Sequence, residues 1–252
     1  MGDLKGTIRR VGDLGERTRA DMFRLYEQFY AGTGEGLFFD DLADKTYAII
    51  LRDEKGALQG FSSIKVWDET FRGKPVRVLY SGDTIVHKDH WGQQALVTAW
   101  GHLTGAVKAS APNVPLYWFL LVKGHRTYRY LRTFYRVFFP AHNRETPPDY
   151  QALMDQLAGK KFGEFYSPET GIVHFPESRG HLKADFAEIP DKDKNRPDVR
   201  YFLQRNPGYV HGDELVCLTE LSHENFNSLA TQIFGAGYDA GLEKTQIGRA
   251  HV

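Results

Sequence analysis

Seven consecutive apolar residues, Leu116–Val122, lie between two stretches of helical periodicity, and no other segment constrains the chain as strongly. A strand with no polar face must be covered on both sides, as a central strand is when helices pack on both faces of its sheet. The flanks agree with this. Trp91–Val107 carries Ala95, Ala99, Leu103 and Ala106 on one stripe, and Thr127–Phe138 is amphipathic and stopped by Pro140. Upstream, Tyr47–Leu51, Ala57–Trp67 and Val76–Val86 alternate or run apolar and are joined by turns at Asp53-Glu54-Lys55-Gly56 and Arg72-Gly73-Lys74. That is an antiparallel meander. Followed by helix, strand and helix, it predicts a mixed α/β sheet with helices on both faces.

The remaining segments give shorter expectations. Gly6–Leu14 reads as a strand, Thr18 caps a helix through Tyr30, and Phe38–Ala43 forms a short helix. After Pro147-Pro148 the pattern weakens, with a helix over Tyr150–Ala158, a strand at Gly171–Phe175 and a solvated loop at Pro190–Pro197. Val199–Gln204 reads as a helical turn, Leu215–Leu218 as a strand, and Ser222 as the cap of a helix through Phe234. The expected division is a core over 1–150 and an extension over 151–252 that packs on it, with 235–252 a loose tail.

Charge and cysteine content exclude several classes. Lys plus Arg and Asp plus Glu each number 32, so no global basic field exists to hold nucleic acid. Cys217 is the only cysteine and sits in an apolar run, which predicts a buried thiol and a reducing compartment. No apolar run reaches the roughly 20 residues of a membrane span, and the first residues lack an apolar signal core. A cytoplasmic protein is expected. His87 and His90 share an H-x-x-H spacing without a third or fourth ligand at a diagnostic interval, so no metal is expected.

The order strand, two helices, three antiparallel strands, helix, strand, helix resembles the GNAT acyltransferase superfamily over roughly Gly6 to Pro140. The resemblance implies a GNAT-like fold and direct transfer of an acyl group from a thioester to an amine. The thioester would lie between Val76–Val86 and Leu116–Val122, with Thr84, Ile85 and Val86 along the donor. The family's phosphate loop corresponds here to Trp91-Gly92-Gln93-Gln94-Ala95-Leu96, placed where a helix opens and free amides can receive a pyrophosphate. Trp91 replaces the basic or amide residue, and Gln94 and Leu96 replace two glycines of that pattern. The family's tyrosine that protonates the leaving thiolate matches Tyr135, which alternatively is a core-edge tyrosine.

Ser81-Gly82-Asp83 falls where the family places the reacting thioester. Asp83 would take a proton from an ammonium acceptor or anchor it; otherwise it would stabilise a bulge by hydrogen bonding. Gly82 itself suggests a bulge or a close backbone approach by a ligand. Tyr80 and Ser81 alternate faces, and Ser81 joins the pocket if Gly82 is bulged. His125 follows the apolar strand at the site mouth and is an acid–base candidate, or else a helix-start residue. Segment 116–140 carries five basic residues and no acidic one, and Arg129 and Arg132 share a helix face. That face is either solvated or contacts CoA phosphates, an acidic carrier protein or anionic lipid.

The expected function is therefore an N-acyltransferase without a tightly bound cofactor. Acyl-CoA or an acyl carrier protein thioester is the co-substrate, a long acyl chain is allowed, and a small amine is the acceptor. Association into homodimers is left open. The alternatives are a non-catalytic GNAT-like ligand-binding module and a membrane-peripheral lipid-binding protein.

Overall fold

The apolar run Leu116–Val122 is a strand at the middle of an eight-stranded sheet. The structure is a computed structural model that describes residues 2–177 and 179–244. Before that strand come β1 (Lys5–Arg10), α1 (Glu16–Phe29), β2 (Tyr30–Ala31), α2 (Glu35–Ala43), β3 (Tyr47–Arg52), β4 (Leu58–Phe71), β5 (Lys74–Val86) and α3 (Ala95–Ala109). The run itself is β6 (Leu116–Val122), followed by α4 (His125–Phe134), α5 (Pro148–Phe162), β7 (Tyr166–Ser167), β8 (Ile172–Val173) and β9 (His181–Leu182). The last described elements are α6 (Ala184–Ala187), α7 (Asp191–Lys194), α8 (Pro197–Arg205), β10 (Glu214–Glu220) and α9 (Ser228–Lys244).

The sheet order is β1-β3-β4-β5-β6-β10-β8-β7, and β5 and β6 form its parallel pair while the other pairings are antiparallel. This is the mixed sheet that the meander and the strand–helix–strand–helix order predict. Leu79, Leu103, Trp118, Leu120, Tyr128 and Phe234 belong to the core under α3, α4 and α9. Val78, Tyr80, Phe119, Leu157 and Val216 pack under α5. Met22, Phe38, Ile50, Phe61 and Ile85 pack under α1 and α2. Burial of this apolar surface from several helices on two faces is what holds the sheet.

Two features of β5 and β6 position everything that follows. Their pairing runs from Arg77↔Leu116 to Ser81↔Leu120, and both strands then continue without pairing to each other. The sheet is therefore splayed beyond Ser81. In addition, β4 pairs Ser62 with Thr84 and Ile64 with Ser81, so Ser63 opposes Gly82 and Asp83 together. That is a β-bulge, and it turns the side chains after it over to the other face.

Several expectations are corrected. β1 ends at Arg10 and a 3-10 turn takes Val11–Asp13. α1 starts at Glu16 after Gly15, so Thr18 lies inside the helix, where its hydroxyl accepts from Arg52. α3 begins at Ala95 rather than Trp91, and α4 ends at Phe134 rather than Phe138. α4 stops early because the chain after it is drawn into pairing: Tyr135 bridges Phe226 and Phe139 bridges Leu218. Asp191–Lys194 is a helical turn within the segment expected as a loop. The last helix starts at Ser228, and residues 235–240 continue it against α3 instead of forming a loose tail, up to a kink at Gly241, whose φ is 63°. Residues 245–252 of that expected tail lie outside the described residues.

The α3–α9 crossing is close because small residues meet there. A Cβ on Gly105 would stand 2.1 Å from the Phe234 carbonyl oxygen and 2.6 Å from the Tyr238 nitrogen. The two backbones touch directly at that point.

Candidate active site

Where β5 and β6 part, a cavity of about 850 Å³ passes through the sheet. Its walls come from α1, α2, α3, α4, α9 and the β9–α6 segment as well as from the two strands. One end is polar and the other aromatic.

Asp83 stands at the polar end. Burial, then the negative charge of Asp41, push its pKa up to about 7, against the pull of Lys123 and Lys45. A carboxylate in that range exchanges a proton readily near neutral pH. Lys123 continues β6 past its apolar run; its Nζ lies 3.2 Å from Glu214 Oε1 and donates to the Gly180 carbonyl at 3.1 Å. Burial opposes the Lys123 charge, yet Glu214, Tyr30 and Asp83 hold its pKa above the usual lysine value. Burial also raises the Glu214 pKa, with Lys123 opposing. Tyr26 and Tyr30 stack beside them with centroids 4.7 Å apart, and burial, then the Asp83 charge, lift the Tyr26 pKa to about 12.

The bulge at Gly82 is packed from α2. Lys45 Nζ is 2.6 Å from Asp41 Oδ1, its side chain is fully buried, and a Cβ on Gly82 would come within 2.7 Å of Lys45 Cε and of Ser63 Oγ. Only glycine leaves that ion pair in place. Of the two expectations at Gly82, the bulge is the one seen, and the space beside it is filled by Lys45 and Ser63.

Tyr135 lines the aromatic end. It caps the C-terminus of α4, 8% exposed, with its ring 5.7 Å from Trp118 and 5.5 Å from Phe226. Burial pushes its hydroxyl pKa up, so the group keeps its proton at neutral pH. Ser81 is on this side too: its Oγ accepts from Trp118 Nε1 at 2.9 Å. The bulge puts Tyr80 on the Asp83 side, and Ser81 on the opposite face also lines the cavity, where a bulge at Gly82 was expected to bring it.

The remaining predicted residues divide. Thr84, Ile85, Val86, Trp91, Gly92 and Gln93 line the cavity, whereas Gln94 and Ala95 are not among its lining residues. Thr84 Oγ1 is bonded to Ser62 Oγ at 2.7 Å, and Ile85 is buried in the core under α1. The Val86 carbonyl accepts from Trp91 Nε1 at 2.8 Å, so Trp91 caps the strand edge that a donor would use. Gln93 accepts from the Leu4 amide at 2.8 Å and donates to the Gly2 carbonyl at 3.3 Å, which ties it to the start of the described chain.

The basic face of α4 is partly solvated, and two of its arginines are ion-paired. Arg129 pairs with Asp193 at 3.0 Å and Arg132 with Asp198 at 3.4 Å, and Asp198 is fully buried. Neither arginine lines the cavity. His125 lines it but is neutral, because burial, then the Arg126 charge, lower its pKa to about 4. A neutral imidazole keeps one ring N–H and one free lone pair, so the lowered pKa disfavours only the imidazolium form of this acid–base candidate. Among the described residues no group of three or more His, Cys, Asp or Glu is arranged to hold a metal ion, and no helix is long and apolar enough to cross a membrane. Cys217 is buried in β10.

Sequence reasoning missed the Lys123–Glu214 pair, the Lys45–Asp41 pair and Trp100 on α3, which also lines the cavity. One signal was available: a lysine placed directly after seven apolar residues continues a buried strand and needs a partner.

No family model matches the chain, and no curated protein is similar to it. Among solved structures, a probable N-acyltransferase from Enterococcus faecalis V583 is similar over 53% of this chain and 33% of its own, with 16% identity and a TM-score of 0.39. This chain thus spans about a third of that protein's length. The GNAT family N-acetyltransferase YhbS of Escherichia coli, solved with CoA, is similar over 53% of this chain and 71% of its own, with 13% identity and a TM-score of 0.35. An aminoglycoside acetyltransferase from an uncultured soil metagenomic sample, solved with trehalose, gives 18% identity over 52% and 86%, with a TM-score of 0.35. These likenesses are low, and the fold class rests on the strand order, the parallel β5–β6 pair and its splay. The fold is GNAT-like. Within it, the splay joins a buried carboxylate to a buried phenol through one cavity.

Proposed function

We propose that this chain is an N-acyltransferase that moves an acyl group from a thioester to an amine. One observation carries the reading: the cavity through the β5–β6 splay has Asp83 at one end and Tyr135 at the other. An ammonium acceptor gives one proton to Asp83 and becomes nucleophilic. Its nitrogen attacks the thioester carbon, the carbon–sulfur bond breaks, and the electron pair goes to sulfur. Tyr135 gives sulfur its proton, and the second proton lost from nitrogen balances that transfer.

Coenzyme A is the preferred donor carrier. The arginines expected to meet an acidic carrier protein already pair with Asp193 and Asp198, which lowers the positive charge left to attract it. A binding role without chemistry is the second reading, favoured by Trp91 capping Val86 and by Gln93 being tied to Gly2 and Leu4. Release of free thiol from acetyl-, octanoyl- and palmitoyl-CoA and from an acyl carrier protein thioester, measured with a panel of amines, separates the readings. Amine-dependent thiol release that falls in Asp83→Asn supports acyl transfer. Donor binding without release under any acceptor overturns it in favour of the second reading.

A further inference from the structure

The aromatic end of the cavity is walled by two helices as well as by the strands. α3 gives it Val97, Trp100 and Gly101, and α9 gives it Ala230, Ile233 and Phe234. None of these side chains is charged. The rings around them are in contact: centroids lie 4.8 Å apart for Trp100 and Trp118, 5.7 Å for Trp118 and Tyr135, 5.5 Å for Tyr135 and Phe226, and 4.7 Å for Phe226 and Phe234. Ser81 faces this end too, but its hydroxyl is engaged by Trp118. α9 reaches the cavity because glycines let it come close to α3. A Cβ on Gly101 would stand 2.5 Å from Ile233 Cγ2, and one on Gly237 would stand 2.2 Å from the His102 carbonyl oxygen. α9 also lies far beyond the stretch from Gly6 to Pro140 that resembles the GNAT order, so this wall is an addition to it.

The direction of α3 decides what this space can hold. β5 and β6 are parallel, so α3 between them runs back from the open end of the splay at Val86 toward Ser81 and Leu120, where the strands still pair. A donor whose nucleotide stays at the mouth, beside the exposed Trp91, enters past Leu96 and carries its thioester and acyl group deepest. An acetyl group ends at the thioester. A longer acyl group continues into the space between α3 and α9. We propose that this space takes an aliphatic acyl chain of several methylenes, so that the donor is a fatty acyl thioester and not acetyl-CoA. The inference deepens the acyl-transfer reading and rests on it. A wall of uncharged, mostly aromatic side chains offers a hydrocarbon chain close contact and removal from water, which is what binds methylene groups.

The test is amine-dependent thiol release by the full chain from acetyl-, butanoyl-, hexanoyl- and octanoyl-CoA. In the wild type, kcat/KM should rise about fourfold for each added methylene until the space is full, as burial of one CH2 at about 0.8 kcal/mol requires. Ala230→Phe narrows the space from the α9 side and should erase that rise. It should lower kcat/KM for octanoyl-CoA about tenfold or more and leave acetyl-CoA as in the wild type. A level or falling wild-type series overturns the inference and leaves acyl transfer standing, and that result needs no variant to fold. Equal losses with acetyl- and octanoyl-CoA in a folded Ala230→Phe would give the space to the pantetheine arm, which also overturns it. No thiol release from any donor with any amine overturns acyl transfer and the inference together.

Discussion

Ser81 and Asp83 stand two residues apart on β5 and face opposite sides of the sheet. Ser81 accepts from Trp118 among the residues under α3, while Asp83 lies within reach of the charges of Asp41, Lys123 and Lys45 under α1 and α2. In a regular strand residues i and i+2 share a face. The bulge that sets Gly82 and Asp83 against the single residue Ser63 breaks that rule. Combined with the splay, it puts the Asp83 carboxylate and the Ser81 hydroxyl at the same gap from opposite sides.

Asp83→Asn should lower kcat/KM by about 10²-fold or more, the usual range for loss of a general base. In the wild type, kcat/KM should climb as pH rises and level off above about 7, where Asp83 is ionised. The variant should lose that inflection. A wild-type profile that is level across this range would show that Asp83 carries no proton in the rate-determining step.

The same carboxylate makes stability depend on pH. Its pKa is about 7 in the folded chain against an ordinary carboxylate value of 3.8, so between those values the folded state holds a proton that the unfolded state has released. Stability from this group is present at low pH and is lost as pH rises through that window. His125 acts oppositely: its pKa of about 4 lies below the ordinary imidazole value of 6.5, so stability is lost as pH falls between them. Urea midpoints should show Asp83→Asn gaining on the wild type toward alkaline pH. His125→Leu should gain on it toward acid pH. Parallel curves for either pair would contradict the assignment.

Gly105→Ala and Gly159→Ala are a matched pair inside helices. Alanine is favoured over glycine by about 1 kcal/mol in a helix interior. Around Gly159 an added Cβ meets nothing within 4 Å, so that variant should gain about this amount. At Gly105 the same Cβ meets backbone at 2.1 Å, so overpacking of about 1–3 kcal/mol should win and lower Tm, with α9 becoming easier to cleave. Calorimetry and limited proteolysis decide both signs.

Arg129→Glu with Arg132→Glu should destabilise the chain instead of changing donor preference. Each substitution sets a carboxylate against an existing one, Asp193 at 3.0 Å and the buried Asp198 at 3.4 Å. The loss should be about 1–3 kcal/mol, visible as a Tm lower by several degrees. A variant with wild-type Tm and selective loss of turnover with a carrier-protein thioester would restore the docking role.

The charge of α4 shows where sequence reading stops. Segment 116–140 is net +5, and nothing within it reveals that Asp193 and Asp198 lie against it. Periodicity is local and found β3 to β6 and α3, because each buries one stripe or face against neighbours close in sequence. β10 was legible as a strand from Leu215–Leu218, but its antiparallel place beside β6 was not, because apolar runs do not name their partners. Gly82 signalled a bulge, yet the direction in which the bulge turned Asp83 depended on the β4 register. The early end of α4 also came from outside, since Tyr135 is drawn into a bridge with Phe226.

β6 has β5 on one edge and β10 on the other, and these neighbours leave the ribosome at very different times. β5 precedes it, whereas the end of β10 emerges about 100 residues later, a delay of roughly 5–20 s at ordinary elongation rates. Throughout that interval the most apolar strand of the protein has one bare edge, open to pairing with another nascent chain. The order of strands along the chain thus leaves that edge to be covered last.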